Sequence, residues 1–248
     1  MLDFNHTLTF SEQLQGLVDA GMVAHRATQE RREYLGASRL GVACERALQY
    51  EFDQIPRDQG KEPDGRLLRI FERGHILEDA LAGWLRLGGF DLRTHDANGH
   101  QFGFSVAKGL LQGHIDGVFL GGPEDIAYPA LWESKCVNTK SFKEIQRLGI
   151  AASRPVYAAQ VAVYQAYLEL HQNPAIFTVI NADSMEIHAE LVPFDVTLAQ
   201  RMSDRAAKIL AASRAVELLP RGFAESSHFE CRMCAWQHRC WEVDQWPG

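Results

Sequence analysis

Two carboxylates and an ammonium lie close together in the middle of this chain. Gly113-His114-Ile115-Asp116-Gly117 is followed, after a turn-rich stretch, by Glu133-Ser134-Lys135. Residues two apart on a strand share a face, so Glu133 and Lys135 project together if 130–137 is a strand. Pairing of this strand with the preceding one across a 121–129 loop brings Asp116 to the same spot. Carboxylate oxygens are the ligands that Mg²⁺ and Mn²⁺ prefer. A lysine beside such a cation could hold or help deprotonate a water, while the cation lowers that water's pKa and neutralises phosphate charge. A surface strand pair with alternating charges would carry the same letters. The flanking residues weigh against that reading: Ile115, Val118 and Phe119 on one side, Ala130-Leu131-Trp132 on the other, all apolar. Charges on buried strands must be paired or bound to metal.

The five cysteines suggest a second centre. Cys231, Cys234 and Cys240 form a tight triplet, and Cys44 stands far upstream. With no basic segment and apolar run at the N-terminus to mark a secretion signal, the expected compartment is the cytoplasm, where thiols serve as metal ligands more often than as disulfides. Three clustered thiolates and one remote thiolate can close a four-cysteine site. A structural zinc site more often takes paired cysteines from each side. His228 and His238 lie close enough to substitute as zinc ligands, so both kinds of centre stay open. Cys136 follows Lys135 directly and is expected on the opposite face, in apolar packing.

The elements that must position these groups can be read from periodicity. Apolar residues at helical spacing predict helices over 10–30, from an N-cap at Ser38 through Leu48, and over 67–87, where Gly88-Gly89 stop the last of these. The stretch 53–65, rich in Pro, Gly and charge, reads as a loop. Strands are expected over 90–96, 101–106, 110–120 and 130–137, in a mainly antiparallel sheet with a turn at Gly121-Gly122-Pro123. Then follow a loop at Arg154-Pro155-Val156-Tyr157, a helix over 158–170, strands over 175–181 and 186–192, and a long helix over 198–218. The order gives an α+β (mixed α/β) class in a single domain over 1–248.

Further candidates sit on the helices. Gln160 and Tyr164 are four apart and share a helix face. His75 and Glu78 share roughly one face of the 67–87 helix, and Asp79 should point elsewhere. Arg201, Arg205 and Lys208 form a basic stripe that could follow a DNA backbone or simply be solvated. The net charge of −7, from 25 basic and 32 acidic residues, argues against wholesale wrapping of nucleic acid and leaves binding to local basic patches. No apolar stretch is long enough to cross a membrane, and there is no Walker A motif, so no ATPase is expected.

Taken in order, Gly74 with Glu78, Gly113 to Asp116, Glu133 with Lys135, and Gln160 with Tyr164 resemble the RecB-like nucleases of the PD-(D/E)XK superfamily. The arrangement of Cys44 before these motifs and Cys231, Cys234 and Cys240 after them is similar to the iron–sulfur members of that family, which include the CRISPR adaptation nucleases. The likeness runs from about Ser38 to Cys240. It implies a restriction-endonuclease-like core with a central mixed sheet flanked by helices. It implies a Mg²⁺ or Mn²⁺ site formed by Glu78, Asp116, Glu133 and the Ser134 carbonyl, with His75 as the competing ligand of the first motif. Lys135 would handle the water, and Gln160 and Tyr164 would brace the site or touch DNA. A 4Fe–4S cluster on the four cysteines would join segments 31–52 and 221–248 into one lobe. The implied activity is metal-dependent cleavage of DNA, chiefly end-dependent exonuclease action on single strands or duplex ends. The setting would be recombination, repair, CRISPR adaptation or phage DNA processing, with partner proteins from those systems. The rival reading is a non-catalytic DNA-binding or scaffold subunit that kept fold and cluster. The intact Asp116, Glu133 and Lys135 set argues against it.

Overall fold

The computed structural model describes residues 7–243 and has the expected α+β class, with mixed sheets flanked by helices. Helix α1 (Phe10–Ala27) starts with a capping box, in which the Thr9 hydroxyl accepts from Glu12 N and the Glu12 carboxylate accepts from Thr9 N. A two-residue strand β1 (Leu35–Gly36) leads through a 3-10 turn at Ala37–Arg39 to α2 (Glu45–Phe52). Ser38 therefore lies in the 3-10 turn, and Cys44, not Ser38, precedes the helix. Helix α3 (Gly65–Leu87) begins where Asp64 accepts from Leu67 N at 2.7 Å and stops at Gly88-Gly89, with Gly89 at φ 92°.

The strand expected over 110–120 is two strands in two sheets. Strand β4 (Leu111–His114) pairs with β1 and with β3 (Gly103–Val106) in a three-stranded sheet. Strand β5 (Gly117–Gly121) joins β2 (Asp91–Arg93), β6 (Ala130–Val137), β7 (Ala175–Asn181) and β8 (Ile187–Val192) in a five-stranded sheet of order β2-β5-β6-β7-β8. Ile115 and Asp116 make the crossing. Both flanking glycines are fixed by close approach. A Cβ on Gly113 would lie 2.6 Å from Tyr164 Cε1, and one on Gly117 would lie 2.6 Å from the Arg93 carbonyl oxygen.

The strands expected to be antiparallel are so (β2–β5, β3–β4 and β5–β6), and the sheet is mixed because β6 runs parallel to β7, with Glu133 opposite Phe177 and Lys135 opposite Val179. Parallel neighbours need a crossover, and it consists of two helices, α4 (Thr139–Ser153) and α5 (Pro155–Tyr167). Helix α4 was not foreseen. Asn138 caps it by accepting from Ser141 N at 2.9 Å, Phe142 and Ile145 are buried, and Gly149 breaks its regularity at φ 73°. The supposed loop at 154–157 shrinks to Arg154, because Pro155 opens α5, where its fixed φ and missing N–H cost nothing. Helix α6 (Val196–Ala215) then packs on α5, and a short α7 (Phe229–Met233) lies in the tail.

Strand β6 divides the core. Leu131 and Val137 pack with Val161, Tyr164 and Ile209, whereas Ala130 and Trp132 pack with Leu81 and Ala82 of α3. This alternation puts Glu133 and Lys135 on the α5 side. No helix among the described residues is long and apolar enough to cross a membrane.

Gly113→Ala should lower stability by about 1–3 kcal/mol, because Tyr164 and Phe104 leave no room for the added methyl. Gly16→Ala, mid-helix with nothing within 4 Å, should raise it by about 0.5–1 kcal/mol. Urea denaturation of the two variants checks both signs.

Candidate active site

Glu133 has no exposed surface. Its Oε1 accepts hydrogen bonds from Lys135 Nζ and, at 2.5 Å, from Gln160 Nε2. Its Oε2 has no partner. Strand β5 pairs with β6 only as far as Trp132, so beyond that point one edge of β6 is uncovered. Asp116, in the crossing between the sheets, fills part of this edge, and its Oδ2 accepts from Ser134 N at 2.7 Å. A strand residue's N–H and C=O point to the same side, so the Ser134 carbonyl faces that edge too. Glu78 reaches in from α3 and shares a hydrogen bond with Asp116. Gln160 and Tyr164 come from α5. Tyr164 is buried against Phe104, and Lys135, a quarter exposed, lies over the Tyr157 ring.

Glu78, Asp116, Glu133, Lys135, Gln160, Tyr164 and His75 all line one open cavity of about 700 Å³. Asp79 lines it as well, contrary to expectation. Phe71, His75, Glu78, Asp79 and Ala82 form one broad face of α3 turned to the cavity. Sequence reading also missed Arg32, Tyr34, Ser38, His95, Gln101, Gln112 and His114 around the rim. The residues beside the motif glycine, Gln112 and His114, could have been suspected. The others arrive from segments with no motif of their own.

The charges do not balance within the protein. Burial raises Glu78 to about 7, and the neighbouring Asp116 adds to the shift. Burial, then Asp116, raises Glu133 to about 8. Asp116 is also raised by burial, against the pull of Lys135 and the Ser134 N–H. Burial acts to lower the Lys135 pKa, but Glu133 and Asp116 outweigh it and hold the ammonium above the usual lysine range. Three carboxyls thus share one ammonium, and one buried oxygen is orphaned. This oxygen-rich, cation-poor donor set fits a hard divalent ion. Among the described residues, however, no three His, Cys, Asp or Glu side chains already stand as a formed metal site.

The four cysteines outside β6 also converge. Cys44, Cys231, Cys234 and Cys240 line a pocket of about 260 Å³ between α2 and the tail, all as free thiols. Burial raises the Cys231 and Cys234 thiols, with Cys44 and Cys240 adding to the shift. A Cβ on Gly222 would come within 3.0 Å of Cys44 Sγ. His228 stacks on Phe223 and caps α7, and His238 pairs with Glu242 at 2.9 Å. Neither lines the pocket.

Two expectations are corrected. Cys136 does face away from Lys135, but it is half-buried beside Arg73, to which it is hydrogen-bonded, and not in apolar packing. Two of the three cations of the α6 stripe are tied to the fold, and Arg201 is exposed. Arg205 donates to the Leu40 and Ala43 carbonyls at 2.9 Å, and Lys208 pairs with Glu45 at 2.6 Å.

No family model matches the chain, and no curated protein matches it. Solved structures do. An alkaline exonuclease, LHK-Exo, from Laribacter hongkongensis aligns over 79% of this chain and 93% of its own, at 17% identity and a TM-score of 0.52. LHK-Exo in complex with dAMP aligns over 75% and 90%, at 17% identity and a TM-score of 0.51. A third, SSO0001, aligns over 92% and 96% at 13% identity, with a TM-score of 0.46. The chain therefore has the fold of the alkaline exonuclease.

Glu78 and Glu133 bind protons more tightly folded than unfolded, so their contribution to stability is present below about pH 4.5 and is lost as pH rises through about 7 and 8. In chelator, the melting temperature should fall between pH 5 and pH 9. Glu78→Gln or Glu133→Gln should flatten that profile. A wild-type profile that rises across this range would contradict the charge assignment.

Proposed function

We propose that this chain is a divalent-metal-dependent DNA nuclease. The reading rests on one observation: Glu78, Asp116, Glu133 and Lys135 converge on an open cavity with Glu133 Oε2 unsatisfied. The alkaline exonuclease fold supports it. Glu78, Asp116, Glu133 and the Ser134 carbonyl would hold Mg²⁺ or Mn²⁺, and His75, on the exposed rim, would approach without replacing Glu78. Such a cation supplies Lewis acidity: it neutralises phosphate charge and lowers the pKa of a bound water.

The protein's own groups do the positioning. Lys135 stays protonated at neutral pH, so it orients a water by donating to it and stabilises negative charge growing on the phosphate, rather than taking a proton. Gln160 fixes Oε1 of Glu133 and leaves Oε2 without a partner. Tyr164 fills the space beside Gly113 and braces Gln160. The finer reading is end-dependent exonuclease action in recombination, repair, CRISPR adaptation or phage DNA processing. LHK-Exo has a solved complex with dAMP, a deoxynucleotide, which is in keeping with DNA as the substrate here.

We further propose that Cys44, Cys231, Cys234 and Cys240 hold a 4Fe–4S cluster that reinforces the junction of α2 with the tail. The support is the shared pocket and the absence of either histidine from its lining.

Asp116→Ala and Lys135→Ala should each cut Mn²⁺-dependent digestion of end-labelled DNA by orders of magnitude without loss of fold. Glu78→Ala should do the same with either metal, and His75→Ala should only weaken cleavage. A folded Asp116→Ala or Lys135→Ala protein that digests DNA at the wild-type rate would refute the nuclease reading. Loss of activity in His75→Ala alone would instead move the first ligand to His75.

Protein prepared anaerobically with iron should be brown. Cys44→Ser should bleach it, and Cys136→Ser should not. Stoichiometric zinc without iron would overturn the cluster.

A further inference from the structure

Helix α4 carries a basic face that no motif announces. Lys140, Lys143 and Arg147 follow one another at intervals of three and four, so they share one side of the helix. All three are exposed, opposite the buried Phe142 and Ile145. None of them makes an ion pair among the described residues. Glu144, the only acidic residue in α4, is committed to Arg154 at 2.9 Å. The contrast with α6 is direct, because there Arg205 and Lys208 are engaged by Leu40, Ala43 and Glu45. On α4, by contrast, all three charges are available.

The helix starts directly after the strand that carries Glu133 and Lys135, and it is anchored on the β7–β8 side of the sheet. Only Asn138 separates it from the end of β6, so Lys140 comes five residues after Lys135. Asp183 accepts from Thr139 N at 2.9 Å and from its hydroxyl at 2.7 Å, and Glu190 accepts from Ile150 N at 2.9 Å. In a chain of net charge −7, an unpaired cation row on the helix that follows the Glu133–Lys135 strand suits a polyanion. From Lys140 to Arg147 the helix rises about 10 Å, the axial span of about three phosphates on one strand of a duplex.

We propose that the Lys140, Lys143 and Arg147 face of α4 is a track for the DNA backbone leading to the cavity. It rests on the nuclease reading and adds to it the surface that grips the substrate beyond the reacting phosphate. Contact with phosphates alone gives affinity without sequence preference.

The test is the triple variant Lys140→Gln/Lys143→Gln/Arg147→Gln. Its binding to a fluorescein-labelled 30-nucleotide DNA, single-stranded and duplex, is titrated in chelator across a series of salt concentrations. The slope of log K against log salt should fall by about 2–3, and affinity at 0.1 M salt by on the order of 10–100-fold. Turnover of saturating DNA with Mn²⁺ should change little. As a second probe, Lys143→Cys carrying a photo-crosslinker should attach to bound DNA. Wild-type affinity and slope in a triple variant with normal melting, or a crosslinker that captures no DNA, would overturn the track while the parent's cleavage keeps the nuclease reading standing. A parent protein that neither binds nor cleaves DNA would overturn both.

Discussion

A carboxylate with no exposed surface has to be compensated from within, and Glu133 is compensated at only one of its two oxygens. Lys135 and Gln160 both serve Oε1. Each partner has its own requirement. Lys135 must lie two residues along the same strand, and Gln160 must be delivered by a helix packed across that face. The free edge of β6 beside Ser134 exists only because β5 stops pairing at Trp132. Asp116 can reach that edge only because the chain changes sheets there. Burial of one acid thus imposes constraints on two sheets and a helix.

Helix α5 is the element on which these constraints meet. Eight of its thirteen residues are buried, so its position is set by apolar packing. The polar Gln160 and Tyr164 are carried to the cavity as passengers of that packing. Glycine at 113 lets the small sheet approach Tyr164 closely, and the same contact locks the three-stranded sheet to the rest. Burial at low dielectric, and after it the charge of Asp116, is why the carboxyl groups of Glu78 and Glu133 hold their protons so strongly.

The tail that carries Cys231, Cys234 and Cys240 is tied to α2 and the loop after it by hydrogen bonds. The buried Arg46 donates to the Leu219 carbonyl at 2.5 Å and to Cys240 Sγ at 3.7 Å. Gln49 pairs with the backbone at Glu217 and Leu219. The Trp236 indole donates to the Ile55 carbonyl, and Asp58 accepts from His238 N. A cluster would therefore reinforce a junction already hydrogen-bonded. The segment from Tyr34 to Cys44 is continuous between the two centres: Tyr34 and Ser38 line the carboxylate cavity, and Cys44 lines the thiol pocket.

The sequence by itself determined several relations that depend on local backbone period. Glu133 and Lys135 share a face because strands alternate, Gln160 and Tyr164 because helices repeat near four, and α3 ends at Gly88-Gly89 because those residues break a helix. The α+β class followed from the order of such segments. What sequence could not determine depended on partners distant along the chain. The stretch 110–120 reads as one apolar-rich strand, yet its two halves pair with different strands, and the close packing at Gly113 and Gly117 accompanies the division. Helix α4 hid behind a long charged surface, and the parallel pairing of β6 with β7 required that helix as crossover. Asp79 came to the cavity because a wide concavity takes in more of a helix face than one period suggests. Arg205 and Lys208 look like free cations in the sequence because the groups that bind them, near Leu40 to Glu45, lie about 160 residues away. A side chain's charge is written in its own residue, but whether that charge is free is decided by what the tertiary fold brings beside it.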